Sequence, residues 1–376
     1  MDFSLSEEQT LLQDSVAKFI QNDYGYEARQ KLIKSELGYS ADHWSTFANL
    51  GWLCVPFSEE DGGIGGGPIE TMILMEEFGK GLVVEPYFET VVLSGSILSR
   101  AANAEQKAAL IGGIVEGSQV IATAYAEPQS RFDLNHVSTT ATAIGDSYTL
   151  SGKKSFVLNG GAANTLIVSA RTSGETRDNA GISLFIVDPQ AAGITIESAP
   201  SLDGHRVADI SFDNVTVPAT NLLGEKGQGL VVLQAASQEA ILALASEAVG
   251  MMEKLYKETV AYTKERKQFG VPIAIFQALQ HRMVDMFTAH ELSKSLLLRA
   301  VLSYINGDDD APKNIAALKH YISVNGQKVA HEAVQIYGGM GMTDEMSTGM
   351  YLKRINVINT LFGNGDYHLR QLVALS

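Results

Sequence analysis

Ala141-Thr142-Ala143-Ile144-Gly145-Asp146-Ser147-Tyr148-Thr149-Leu150-Ser151-Gly152-Lys153-Lys154-Ser155-Phe156-Val157-Leu158-Asn159-Gly160 carries the periodicity that decides the fold. β-Branched and aromatic residues recur at a spacing of two, and Gly, Asn and Asp bound the runs, as in half-buried strands. The same texture returns in Val120–Glu127, Asn164–Thr172, Gly181–Asp188, Gly193–Ser198 and Ala208–Pro218. Six or more short strands without a long helical pattern imply a compact antiparallel sheet or barrel.

On both sides the period changes to that of a helix. Ser6 with Gln9 forms a capping-box signature, and Leu12, Val16, Phe19 and Ile20 follow at helical spacing. Further helices are expected over Ile69–Phe78 and Glu105–Glu116. After the strands, long patterns run over Leu230–Arg266, Ile273–Asn306, Ala311–Tyr337 and beyond Thr343, with Gly-rich joints between them. The expected fold class is α+β. It comprises an N-terminal helical domain (1–118), a middle antiparallel β-barrel-like domain (119–226) and a C-terminal four-helix bundle (227–376).

Composition narrows the function. The 376 residues include 43 Asp+Glu against 28 Lys+Arg, a formal net charge of −15. Such a surface repels phosphate backbones, so no nucleic acid is expected as a partner. The single cysteine, Cys54, excludes an internal disulfide framework and a multi-thiolate metal site. The eight histidines show no ligand spacing, so no metal is expected. No apolar run is expected to reach the ~18 residues of a membrane helix, and the acidic start lacks the marks of a secretory or transit signal. A cytoplasmic location follows as the default.

Some motifs have bland readings. Gly62–Gly67 follows a helix rather than a strand, which favours an interhelical turn over a phosphate loop. Asp308-Asp309-Asp310 reads as a solvated turn before a helix. Two features ask for more. Lys264-Glu265-Arg266-Lys267-Gln268-Phe269-Gly270-Val271-Pro272-Ile273, with Gln277, puts Arg266 at a corner where it could grip a diphosphate, with Phe269 able to lie against a flat ring. A helix stop with dipole-complementing cations is the alternative. Glu247, within Ala243–Gly250, is a carboxylate in a small, apolar stretch; buried without a cation it would suit a general base, at a wet helix edge it would be surface.

Together with Ala124-Tyr125-Ala126-Glu127-Pro128, Gly152–Gly160, Phe212–Pro218 with Leu223-Gly224, and Gln335-Ile336-Tyr337-Gly338-Gly339-Met340-Gly341, these segments resemble the acyl-CoA dehydrogenase family over the whole chain. The branch it most resembles is bacterial, similar to the small subunit of pimeloyl-CoA dehydrogenase and to dehydrogenases of steroid side chains. The resemblance implies an FAD enzyme that converts an acyl-CoA to the trans-2-enoyl-CoA. A base takes the α-proton, the β-hydride passes to flavin N5, and electrons leave to an electron-transfer flavoprotein.

The resemblance also assigns residues. Tyr125, Ala126 and Glu127, with Phe156 and Leu158, run along the flavin. Arg266, Phe269 and Gln277 reach the diphosphate and adenosine part of a neighbour's FAD, and Gln335, Gly338 and Gly339 cradle that same FAD. Half-sites of this kind imply an oligomer: a homotetramer or dimer, or a heterotetramer with a second acyl-CoA dehydrogenase subunit. The family's commonest base position holds Phe362, whose backbone N–H can still bind the thioester oxygen. A second base position holds Ala240. Glu247 lies seven residues on, only ~20° around the helix, and is the candidate base, with Glu239 the runner-up. A non-catalytic companion subunit, and a flavin oxidase or monooxygenase on the same scaffold, are the competing readings.

Overall fold

The computed structural model describes residues 5–376; the first four residues, part of the expected N-terminal helical stretch, lie outside the described residues. By its internal contacts the chain forms two units. One holds the segments up to Gln30, Pro68–Val83 and Ile241–Ser376; the other holds Lys31–Gly67 and Val84–Ala240.

The first unit is helical. Helix α1 (Glu7–Asp23) opens on the expected capping box: Ser6 Oγ accepts from Gln9 N at 3.1 Å, and Gln9 Oε1 accepts from Ser6 N at 3.0 Å. Helix α2 (Tyr26–Leu32) follows and is shared with the other unit; α3 (Ala41–Asn49) lies wholly in the second. Helix α4 (Pro68–Gly81) returns to the first unit and is buried from Met72 to Gly79. Gly79 and Gly250 let it approach a long C-terminal helix closely. A Cβ at Gly79 would overlap the carbonyl of Glu247, and one at Gly250 would overlap the carbonyl of Glu76.

The second unit adds α5 (Gly95–Ala101) and α6 (Ala104–Val115). Before α5, Phe88–Ser94 forms a π-helical segment, buried throughout, which no sequence signal announces. Buried hydroxyls tie it to the sheet. Thr90 Oγ1 donates to Ile121 O and accepts from Ile121 N, both at 3.1 Å.

Eight strands form that sheet: β1 (Ile121–Ala124), β2 (Thr140–Ile144), β3 (Ser147–Leu158), β4 (Thr165–Arg171), β5 (Ile182–Val187), β6 (Ile194–Pro200), β7 (Arg206–Pro218) and β8 (Leu222–Leu223). The path runs β6-β7-β3-β2-β4-β5-β8, with β1 beside β4. The sheet is mixed rather than purely antiparallel, because β1 pairs parallel to β4 and a single parallel bridge joins β2 to β4. Its core is apolar, with Leu150, Leu166, Val168, Phe185, Ile210 and Val215 all fully buried.

The C-terminal region has five helices where four were expected. They are α7 (Gly229–Glu265), α8 (Gln277–Ile305), α9 (Ala311–Tyr337), α10 (Thr348–Thr360) and α11 (Gly365–Ala374). The stretch after Thr343 splits at Phe362 and Gly363, which take φ of +54° and +110°, and Asn364 then caps α11 by accepting from Tyr367 N at 2.9 Å. Helix α7 corrects one expectation: by length and composition it is apolar enough to cross a membrane. Its apolar residues from Ile241 to Val249 are instead buried within the protein, as in a core helix.

Candidate active site

The first group of candidate residues sits on the sheet. Tyr125–Glu127 leaves the end of β1, and Phe156–Leu158 ends β3. Ser155 N donates to Ala126 O at 2.9 Å, so the two segments run side by side. The β3–β7 register shifts between Lys154 and Val157. Within that bulge Phe156 takes φ +53°, uncommon for a bulky residue, and its ring stays 41% exposed. Leu158 is buried. The Tyr125 hydroxyl is held strongly toward its neutral form by burial.

Glu127 does not turn its carboxylate outward. Its side chain is buried against Lys154, with Oε1 2.7 Å from Nζ. It also accepts from Ser138 N at 2.8 Å and Thr139 N at 3.0 Å. Burial alone would raise its pKa, but Lys154 and these donors overcome it and bring the pKa to about 2. Only the backbone of this residue is left for a cofactor.

The second group gathers at one end of the bundle. Lys267–Gln268 (β9) and Val271–Pro272 (β10) form a two-residue hairpin after α7. Phe269 and Gly270 take φ of +54° and +80°, as a type I′ turn requires. A phenylalanine in that conformation is strained, and its ring is 91% exposed. Arg266 and Gln277 are exposed on either side of this hairpin. Tyr262 and Tyr337 stack with ring centroids 4.1 Å apart, which sets the C-terminal ends of α7 and α9 together. Gln335, Gly338 and Gly339 therefore share this end. Gly338 has φ +64° and ψ −141°, which only glycine adopts freely, and open space lies where either glycine would carry a Cβ.

These features fit FAD. The bundle end offers a cation for a diphosphate, an aromatic face for a flat ring and a backbone cradle without side chains. The sheet offers Phe156 and a run of backbone for an isoalloxazine.

The third group concerns the base and the thioester. Glu247 is buried, as its setting implies, but a cation accompanies it. Arg354 on α10 donates Nε to Oε1 at 2.6 Å and Nη2 to Oε2 at 2.8 Å, and both residues are 3% exposed. Burial without a counter-charge, the condition set for the simplest general base, is not met. Arg354 was missed by the sequence reading. It lies in the stripe Met350, Tyr351, Arg354, Ile355, Ile358, otherwise apolar and wholly buried, and a cation in such a stripe signals a buried anion nearby. The runner-up, Glu239, is also engaged: its Oε1 accepts from Arg100 Nη2 at 2.6 Å. Ala240 is fully buried and carries no acid.

Phe362 is pinned by groups the sequence reading did not single out. His368 Nε2 lies 2.8 Å from Phe362 O, His320 Nδ1 lies 2.9 Å from Gly365 O, and Lys319 Nζ donates to Ile358 O at the end of α10. Burial brings the Lys319 pKa down to about 7 and, although Phe362 O opposes it, that of His368 to about 4. An unfolded chain takes the histidine proton near pH 6.5, before the folded one does. The stability that His368 contributes is therefore complete above pH 6.5 and is lost as pH falls to about 4, by up to about 3 kcal/mol. Denaturant titrations of wild type and His368→Gln across pH 4–7 check this: the two curves converge in acid, and parallel curves contradict it.

Among the described residues, no group of three or more His, Cys, Asp or Glu side chains is placed to hold a metal ion. Three family models match in order: the N-terminal, middle and C-terminal domains of acyl-CoA dehydrogenases, over residues 6–118, 122–215 and 227–375. The chain belongs to the acyl-CoA dehydrogenase family. It is 30% identical over 381 residues to the probable acyl-CoA dehydrogenase YngJ of Bacillus subtilis, covering 99% of this chain and 98% of that one. Its fold is similar to that of PigA in complex with FAD, with a TM-score of 0.91 and 26% identity over 100% and 98% of the chains. It is also similar to the Tcur3481–Tcur3483 steroid acyl-CoA dehydrogenase, with a TM-score of 0.88 and 28% identity over 99% and 98%. The expected family, fold and FAD-dependent oxidoreductase activity stand.

Proposed function

We propose that this acyl-CoA dehydrogenase takes the α-proton of its thioester substrate with Glu247, oriented by Arg354. The observation that carries the reading is the buried bidentate pair at 2.6 and 2.8 Å. An ionised carboxylate has about four lone-pair sites, and a guanidinium fork uses two of them. One oxygen thus retains a lone pair for a proton. The arginine fixes the carboxylate's direction, and orientation is worth several kcal/mol in such a transfer. The backbone N–H of Phe362 binds the thioester oxygen and stabilises the charge that develops there. Bound FAD supplies the acceptor for the β-hydride. Arg266, Phe269, Gln277, Gln335, Gly338 and Gly339 hold the cofactor's diphosphate and adenosine half, and Tyr125, Ala126, Phe156 and Leu158 its flavin half.

The exposed Phe269 and open Gly338 cradle support an oligomer in which a neighbour completes each FAD site, as a homodimer, a homotetramer or a heterotetramer with a second dehydrogenase subunit. The electron acceptor that suits this chemistry is an electron-transfer flavoprotein. The cytoplasm suits a chain with a single cysteine. A companion-subunit reading is favoured by one observation: both candidate acids are engaged by arginines while Phe362 fills the usual base position.

Anaerobic flavin bleaching by a panel of straight, branched, dicarboxylic and steroid acyl-CoAs tests the function and names the acyl class. We expect bleaching by at least one class and release of an enoyl product. A flavin that stays oxidised with every class, alone and with its natural companion, contradicts the reading. Rapid peroxide formation on reoxidation in air assigns an oxidase instead.

A further inference from the structure

We propose that Glu127 and Lys154 are a positioning pair: their buried side chains lock together the two backbone segments that carry the flavin without themselves touching it. The inference rests on the FAD site described above and adds two residues to it. Lys154 is fully buried, on β3, two residues before Phe156. Its Nζ contacts Glu127 Oε1 at 2.7 Å, Ser169 Oγ on β4 at 3.0 Å and Tyr125 O at 3.5 Å. Glu127 closes the first flavin segment, and its other bonds hold Ser138 and Thr139 just before and at the edge of β2. One ion pair thereby joins the end of β1, the start of β2, the bulge of β3 and the middle of β4.

The bulge explains why such a joint is needed. The register slips between Lys154 and Val157, and Phe156 takes a left-handed conformation that costs energy. Surroundings must over-determine that conformation for it to persist. On one side Ser155 N is bonded to Ala126 O, and on the other Phe156 N donates to Asp209 Oδ1 at 3.3 Å. The residue before Ser155 is Lys154 itself. A buried lysine with full partners cannot shift without leaving a charge unpaired, so it sets where Phe156 points. A pair serving packing alone would be replaceable by apolar groups of similar shape with no effect on the cofactor.

The test compares wild type with Glu127→Gln, Lys154→Met and the milder Ser169→Ala, which removes one contact of Lys154 and leaves the pair intact. FAD affinity is measured by fluorescence quenching on cofactor-stripped protein. The visible circular dichroism and redox potential of the bound flavin are measured on reloaded protein, with the unfolding midpoint of the stripped form as a structural control. We expect Glu127→Gln and Lys154→Met to weaken FAD binding at least ten-fold and to alter the flavin dichroism and potential. Ser169→Ala should shift the spectrum in the same direction with a smaller loss of affinity, and it keeps the test decisive if the other two do not fold. Variants that melt earlier yet bind FAD with wild-type affinity, spectrum and potential overturn the pair's positioning role alone. A wild-type chain that takes up no FAD overturns both this inference and the function on which it rests.

Discussion

Glu247→Gln slows reduction of the bound flavin by acyl-CoA about a thousandfold or more, while chemical reduction of the same flavin is unchanged. Removing the proton acceptor withdraws general-base catalysis, usually worth 10²- to 10⁴-fold. The substitution also disturbs a buried pair, and a lone buried guanidinium can cost about 3–5 kcal/mol. Gln keeps one acceptor oxygen for Arg354, so part of that cost is avoided. Arg354→Lys separates the two effects. It keeps the charge but loses the fork, so the carboxylate remains and its aim degrades. We expect a fall in kcat of about ten- to a hundredfold with little change in KM. If Glu247→Gln reduces stability but leaves the reduction rate at the wild-type value, Glu247 is an anchor and not the base. Glu239→Gln is then the next variant to assay.

Gly79→Ala and Gly250→Ala have the largest expected effects on stability. Each places a methyl group on a backbone carbonyl of the facing helix, at Glu247 and Glu76 respectively. Backbone cannot yield as a flexible side chain can, so α4 and α7 must separate. Overpacking of this kind costs about 3 kcal/mol or more. Gly79→Ala should also slow flavin reduction, because the carbonyl it strikes belongs to Glu247. Gly112→Ala is the control: open space surrounds its Cβ position inside α6, so helix propensity alone acts and stabilises by up to about 1 kcal/mol. Chemical denaturation of the three variants checks the ranking. Equal stabilities would mean that the α4–α7 crossing is looser than described.

The repeating patterns were readable where burial follows a single period. The expected strand runs became β1–β7, and Ala311–Tyr337 is a helix with the expected ends. Neither the π-helical Phe88–Ser94 nor the parallel partnership of β1 and β4 has a local signature. The first depends on hydroxyls meeting Ile121 from a distant strand, and the second on a long-range register. The split between α10 and α11 arises from φ values at Phe362 and Gly363 that side-chain periodicity does not encode.

The site divides in the same way. Glu247 stood out because a carboxylate interrupts an apolar stretch. Its partner Arg354 is more than a hundred residues away, and pairing across such a distance is a property of the packed helices. Lys154 lies inside a quoted motif, yet its neighbour Lys153 is exposed and it is fully buried; the difference comes from the pleat and the bulge. Phe269 was readable as an aromatic able to lie against a flat ring, whereas its strained, outward conformation became visible only with the hairpin in place.

Titration of the cofactor-stripped protein with FAD, alone and with its natural companion, tests the central claim most directly. The account predicts saturable uptake to a yellow complex, with affinity that falls when Arg266 is replaced by Ala. A well-folded protein that stays colourless at every FAD concentration, with and without that companion, would contradict it.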